Sequence, residues 1–228
     1  MNQQKFEEQF QRFEQMSRAD GRFVPKSDFP CLSDDTPEQG YDPHYVIHTG
    51  WAARKLAESK PIIHHDFGAS LYFASIVSAF ITLYYHDIRN PNLPFRDVTF
   101  TSENLTNLSF KDESLYSLSA LHCLEHVGLA RYGDELDAKG DRKAAKELMR
   151  VLAPGGELLI VVPMEDPPRC QFNAHRLYSY ENVMELFYGV ALAEFSLITN
   201  SSEFFPYCNP SKMKGQTYAC GCFRFIKL

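Results

Sequence analysis

The sequence predicts an α/β fold: a doubly wound, mostly parallel sheet closed by an antiparallel strand pair, preceded by a helical extension. Three observations carry this. Leu115–Leu121, a polar loop, a helix with Ala144, Ala145, Leu148, Val151 and Leu152 on one face, and the apolar run Leu158–Val162 form a strand–loop–helix–strand unit. Such a unit builds a parallel sheet, whose ligands bind beyond the carboxyl ends of the strands. Upstream, IIHHDF (62–67), 81–85 and 98–100 read as three more strands, with an apolar helix from about Leu71 to Phe80 between the first two. Downstream, 192–198 and 217–226 read as a closing pair, with a surface loop between them that suits a late hairpin.

In chain order, residues 2–18 read as a helix with Phe6, Phe10, Phe13 and Met16 on one stripe. That stripe suits packing on the body of the chain, a lid, or a homodimer contact. The Pro-, Asp- and Gly-rich segment 19–43 reads as a connector, and 45–59 as a helix with Trp51, Ala52, Leu56 and Ala57 on its apolar side. The expected division is therefore a helical extension over 1–60 and the sheet domain over 61–228. Pro154-Gly155-Gly156 is expected to stop the helix before the fifth strand. Ser179 is placed to cap a helix over 179–187, with Glu181 in its first turn.

Composition narrows the function. The chain has 228 residues, 44% of them hydrophobic, and a net charge of −6. It carries no basic block, so nucleic acid is not an expected partner. No apolar run approaches the ~18 residues of a membrane span. MNQQKFEEQF carries no signal-peptide core, and the six cysteines are scattered, so a cytoplasmic protein with reduced thiols is expected. No metal site is expected: Cys220-Gly-Cys222 has no companion pair, and His64-His65 and His44 with His48 have no acid or cysteine spaced to join them.

The landmarks Asp66-Phe-Gly68, Asp87 at the end of strand two, Asn104-Leu105, LHCLEHV, the helix ending LMRVLAPGG and the strand ELLIVVP resemble, in this order, a class I S-adenosylmethionine-dependent methyltransferase with its Rossmann-like sheet, over about residues 62–200. HCLEHVGLARYGDELDAKG, FNAHRLY and AEFSLI are similar to an uncharacterised methyltransferase-like family named for its Caenorhabditis members. The resemblance implies S-adenosylmethionine as cofactor. It implies a cofactor site of Asp66, Gly68, Ala69, Ser70, Asp87, Asn104, Leu105 and Leu121. An acid ending strand two accepts the ribose hydroxyls in nucleotide folds, which suits Asp87. By the resemblance, Asn104 offers its side-chain amide and Leu105 its backbone N–H to the adenine edge. Gly68, Ala69 and Leu121 would face the methionine part through backbone groups.

One departure bears on this. The first loop reads Gly68-Ala-Ser-Leu-Tyr72, with one glycine where the family usually has three. Tyrosine resists the backbone angles that glycine allows, so either the loop takes another shape or Tyr72 closes part of the pocket.

Methyl transfer is an in-line displacement in which an oxygen nucleophile often needs a base. His122 and His126 after strand four, and His175 after strand five, leave the same sheet edge and suit that work, with Glu125 to orient an imidazole. Loop-closing hydrogen bonds are the competing role. Arg131, Tyr132, Asn173 and Arg176 form a second set suited to an anionic or sugar-like small-molecule substrate, unless the arginines rigidify their loops through Asp134 or a glutamate. The expected activity is O- or N-methyl transfer to a small polar or sugar-type acceptor. The alternative is a non-catalytic methyltransferase-fold binding or scaffold protein with a degenerate cofactor loop. A dinucleotide oxidoreductase is disfavoured, because the glycine fingerprint is missing and the sheet ends in a reversed pair.

Overall fold

The computed structural model describes residues 1–91 and 93–228 and divides into two compact units, Met1–Asp42 and Pro43–Leu228. In the first, α1 (Gln3–Asp20) is capped by Asn2, whose side chain accepts from the Lys5 N–H, and ends at Gly21 in the left-handed conformation. The Met1 ammonium donates to the Leu32 carbonyl at 2.8 Å, and Lys5 pairs with Asp35 at 2.8 Å. Phe6 and Phe10 stack, whereas Phe13 and Met16 are 58% and 63% exposed.

The second unit begins with α2 (Pro43–Ser59). Its sheet comprises β1 (Ile63–Phe67), β2 (Thr82–Asp87), β3 (Val98–Ser102), β4 (Leu115–Leu121), β5 (Leu152–Met164), β8 (Ala191–Ile198), β9 (Phe204–Phe205) and β10 (Ala219–Ile226). The order is β3-β2-β1-β4-β5-β10-β8-β9. Pairings from β3 through β5 are parallel, and β10 runs antiparallel between β5 and β8. A separate hairpin, β6 (Arg169–Gln171) with β7 (His175–Leu177), occupies the loop after β5, where no strand is expected from the sequence.

The sheet is buried on both faces, which is why β5 reads as a continuous apolar run. On one face Leu118, Leu158, Ile160 and Val162 pack with Ala144, Ala145, Leu148 and Val151 of α4 (Gly140–Val151) and with Val183 of α5 (Tyr180–Leu186). On the other, Leu159 and Val161 pack with Trp51, Ala52 and Leu56 of α2 and with Phe73, Ala74 and Val77 of α3 (Leu71–Val77). α2 is anchored through polar groups as well. Trp51 Nε1 donates to Glu194 Oε1 on β8 at 2.8 Å, and Lys55 pairs with Glu194 Oε2 at 2.9 Å.

α4 ends at Val151, and β5 starts at Leu152 with no intervening loop, so Pro154-Gly155-Gly156 lies inside the strand rather than stopping the helix. Ser179 caps α5 as expected, in a reciprocal capping box with Asn182. Leu148 is fully buried against both β4 and β5 residues. Leu148→Ala is expected to cost about 2–5 kcal/mol, read as a lower urea midpoint with unchanged slope. Among the described residues no helix is long and apolar enough to cross a membrane.

Candidate functional site

A cavity of about 200 Å³ opens at the carboxyl ends of β1, β2 and β4. The loop after β1 contributes Gly68, Ala69 and Ser70, the end of β2 His86 and Asp87, the segment after β3 Asn104 and Leu105, and the loop after β4 His122 and His126. Tyr72 is 86% exposed and does not line the cavity, so the expected obstruction is not there. Its backbone lies in the first turn of α3, which Ser70 caps by accepting from the Phe73 N–H.

Gly68 is the one position in this loop that needs glycine. Its φ is +71°, and a Cβ there would stand 2.7 Å from Cys123 Sγ. Gly68→Ala is expected to lose about 2–5 kcal/mol, from left-handed strain plus the clash. Combining it with Cys123→Ala should restore the clash portion only, which a double-mutant cycle in urea measures.

Asp87 is nearly buried, its side chain 14% exposed, and lies beside Gly68. Its Oδ1 accepts from the Arg89 backbone N–H at 2.8 Å and faces the Arg89 side chain at 3.5 Å. Arg89 in turn lies 4.0 Å over the Tyr132 ring.

Asn104 lines the cavity, but its Oδ1 accepts from both the Thr106 N–H (2.9 Å) and the Thr106 hydroxyl (2.8 Å). An amide oxygen has two lone pairs, so it has none left for an adenine amino group. Asp66 and Leu121 lie below the cavity floor rather than on it. Asp66 accepts from the Ala69 N–H at 3.2 Å and from the Ser119 hydroxyl, and thereby shapes the loop from beneath. Burial pushes its carboxyl up to about 7, against those two hydrogen bonds. Ser119 bonds His64 Nε2 at 2.8 Å, and His64 Nδ1 bonds Ser117 at 2.8 Å. Burial, with His65 and His86 nearby, holds His64 down to about 3.

The loops after β4 and β5 do converge. His126 Nδ1 lies 2.7 Å from the Ala174 carbonyl, which only accepts, so the ring proton sits on Nδ1 and Nε2 carries the lone pair. Burial lowers the His126 imidazole below its ordinary range, against the pull of Glu125 and the Ala174 bond. His175 packs 6.3 Å from the His126 ring but does not reach the cavity. Glu125 is also withdrawn; its Oε1 accepts from His122 Nδ1 at 2.8 Å. Burial raises that carboxyl, and the His122 bond with the His122 and His126 charges more than offsets it. His122 itself has a φ of +54°, a left-handed conformation that costs a non-glycine residue about 1–2 kcal/mol.

Of the second set only Tyr132 reaches the cavity. Arg131 donates to the Ala174 carbonyl at 2.8 Å, and Arg176 to the Val127 carbonyl at 2.7 Å, with Asp141 at 3.6 Å. Both arginines fasten loops, and Asn173 is exposed. Asp134 serves the loop too, accepting from the Gly128 N–H at 2.7 Å. Gly128 lets the loop turn back on α4: a Cβ there would meet the Asp137 carbonyl oxygen at 2.1 Å. The arginine at the cavity is Arg89, which the sequence reading missed, together with Tyr45, His86, Glu103 and Cys123. His86-Asp87-Ile-Arg89 at a strand end was a readable signal for two of these; Tyr45, distant in the chain, left none.

Residues 99–206 match the family described as "Caenorhabditis protein of unknown function, DUF268". No curated protein matches the chain by sequence. Among solved structures, the chain is similar to a putative sarcosine dimethylglycine methyltransferase from Galdieria sulphuraria, with a TM-score of 0.56 and 17% identity over 78% of this chain and 84% of that one. It is similar to the N-methyltransferase NodS from Bradyrhizobium japonicum WM9 in complex with S-adenosyl-L-homocysteine, with a TM-score of 0.55 and 15% identity over 94% and 97%. It is also similar to the [4+2]-cyclase SpnF, with a TM-score of 0.58 and 14% identity over 78% and 80%. These likenesses show the fold, a class I methyltransferase sheet with its closing antiparallel strands.

Proposed function

We propose that this chain is an S-adenosylmethionine-dependent methyltransferase acting on an oxygen or nitrogen of a small polar, anionic or sugar-type acceptor. The observation that carries this reading is the shared cavity of Gly68, Ala69, Ser70, Asp87 and Leu105, with Tyr72 turned outward. NodS, of the same fold, binds S-adenosyl-L-homocysteine. The donor set fits the cofactor in part. Asp87 offers a carboxylate to the ribose hydroxyls, the tight turn at Gly68 and Ala69 lets backbone groups approach the amino-acid part, and Leu105 offers its backbone to the adenine edge. Asn104 does not fit the adenine role, because its oxygen is already saturated.

When bound, the cofactor supplies an electrophilic methyl group. The chain's own contribution is to hold the acceptor and take its proton. His126 is the group for that: it lines the cavity, and with its proton on Nδ1 its Nε2 carries the lone pair. Arg89 and Tyr132 would hold an anionic or hydroxylated acceptor. S-adenosylhomocysteine at 100 times its Kd should stabilise the full chain by about 2.7 kcal/mol, raising Tm by roughly 5–10 °C. Absence of both a melting shift and binding heat overturns the reading.

A second reading, a non-catalytic binding protein on this fold, is favoured by two observations. The cavity, at about 200 Å³, is smaller than the ~300–1,000 Å³ usual for small-molecule sites. The adenine-side amide is also committed within the protein. A folded chain that ignores S-adenosylhomocysteine would support this alternative.

A further inference from the structure

Behind His122, on the side away from Glu125, three soft or borderline donors from distant parts of the chain converge. His44 on α2, His122 after β4 and Cys220 on β10 each present one ligand atom, all within 4.8 Å of one another, and all three residues are buried. Cys220 Sγ and His122 Nε2 are 3.4 Å apart. Tetrahedral zinc, with Zn–S near 2.3 Å and Zn–N near 2.0 Å, separates such a pair by about 3.5 Å. His122 Nδ1 is hydrogen-bonded to the Glu125 carboxylate at 2.8 Å, which fixes the ring and leaves Nε2 as the lone-pair nitrogen facing Cys220. That carboxylate–histidine arrangement is how metal-binding imidazoles are oriented and made more basic.

Two further observations concern buried polar groups beside this trio. His48, one helical turn beyond His44 and fully buried, has no hydrogen-bond partner at either ring nitrogen, and its ring lies 4.9 Å from that of His122. Glu125 Oε2 is likewise buried without a partner. An imidazole and a carboxylate oxygen in such places each forfeit their hydration, so a native protein satisfies them with a bond or a counter-charge. A dication on the far side of His122 supplies a counter-charge for that carboxylate.

We infer that His44, His122 and Cys220 hold a zinc ion, with Glu125 positioning His122. One sulfur and imidazole nitrogens select zinc over magnesium or calcium, which take oxygen ligands. Binding converts the Cys220 thiol to a thiolate, its proton passing to solvent while the imidazoles bind as neutral rings. The ion ties α2 to the sheet and holds His122, whose strained backbone faces the cavity. This site stands apart from the methyl-transfer reading and does not require it.

The full chain, produced without a histidine tag and dialysed against metal-free buffer, is expected to keep about one zinc per chain by elemental analysis. Cys220→Ser and His44→Ala should each lower that at least about tenfold, whereas Cys170→Ser, at an exposed cysteine, should not. Glu125→Gln should weaken zinc about 10- to 100-fold in competition with a chromophoric chelator. Cobalt added to the metal-stripped wild-type chain provides a measurement that needs no variant to fold. Intense tetrahedral visible bands and a thiolate-to-cobalt charge-transfer band support the site. A cobalt spectrum without that band, or zinc equal in wild type and Cys220→Ser, overturns it.

Discussion

Asp87→Ala is expected to weaken S-adenosylhomocysteine binding about 100-fold while leaving the chain folded. In the proposed complex the carboxylate takes both ribose hydroxyls, and hydrogen bonds to a charged acceptor contribute about 1.5–3 kcal/mol each. The lower figure applies, because Oδ1 already accepts from the Arg89 N–H. Two such bonds at 1.5 kcal/mol give about 3 kcal/mol, or two powers of ten in Kd. The fold should survive because Asp87 ends β2 at the cavity wall and its one ion pair, with Arg89, is loose at 3.5 Å. Titration calorimetry reads the affinity and circular dichroism the melting point. An alanine variant that binds as tightly as the wild type would remove Asp87 from the ribose and leave the rest of the proposal to be judged on binding alone.

The second large effect is acid unfolding. His64 and His86 are held down to about 3 and His65 to about 4, chiefly by burial. Each is therefore neutral in the folded chain below the pH at which it charges in the unfolded one, near 6.5. Stability from these groups is complete above pH 6.5 and is lost as pH falls toward 3–4. Asp66, raised to about 7 by burial, has the opposite sign: its contribution is complete below about pH 4 and is lost as pH rises through 7. Between pH 4 and 6.5 the unfolded chain binds up to three extra protons at the histidines, and the folded chain one at Asp66. The net slope is up to about 2.7 kcal/mol per pH unit. A domain at the low end of ordinary stability, about 5 kcal/mol, should then unfold cooperatively near pH 4–5. His48, also driven well below its ordinary range by burial and by His122 and His44, adds to this sign. His64→Gln should flatten the slope by about 1.4 kcal/mol per pH unit and Asp66→Asn should steepen it by as much. Urea midpoints measured at several pH values separate the two, and a flat wild-type profile over this range would contradict both assignments.

The contacts of buried His86 could not be read from the chain. His86 Nε2 lies 3.0 Å from His65 Nδ1, and its Nδ1 bonds Thr101, so β1, β2 and β3 each supply one member. One proton serves the His65–His86 contact, and a second forces two N–H groups against each other. Strand pairing alone sets that register, with Phe67 opposite His86 and His86 opposite Thr101.

The amino-acid sequence by itself determined the layers. Periodicity marked α4, the apolar run marked β5 as covered on both faces, and Ser179 marked the start of α5, because burial and capping are local properties of residue spacing. The strand-end positions of Gly68, Asp87, Leu105, His122 and His126 followed from the same pattern. What only the tertiary structure decided was where side chains turn and what they meet. Tyr72 faces solvent, Asn104 spends its oxygen on Thr106, Arg131 and Arg176 fasten loops, and Arg89 takes the cavity wall. His44, His122 and Cys220 share no spacing that a reader of the chain could use. They meet because α2 packs on the sheet face beside β10, a long-range contact that hydrophobic burial drives and that local sequence does not encode.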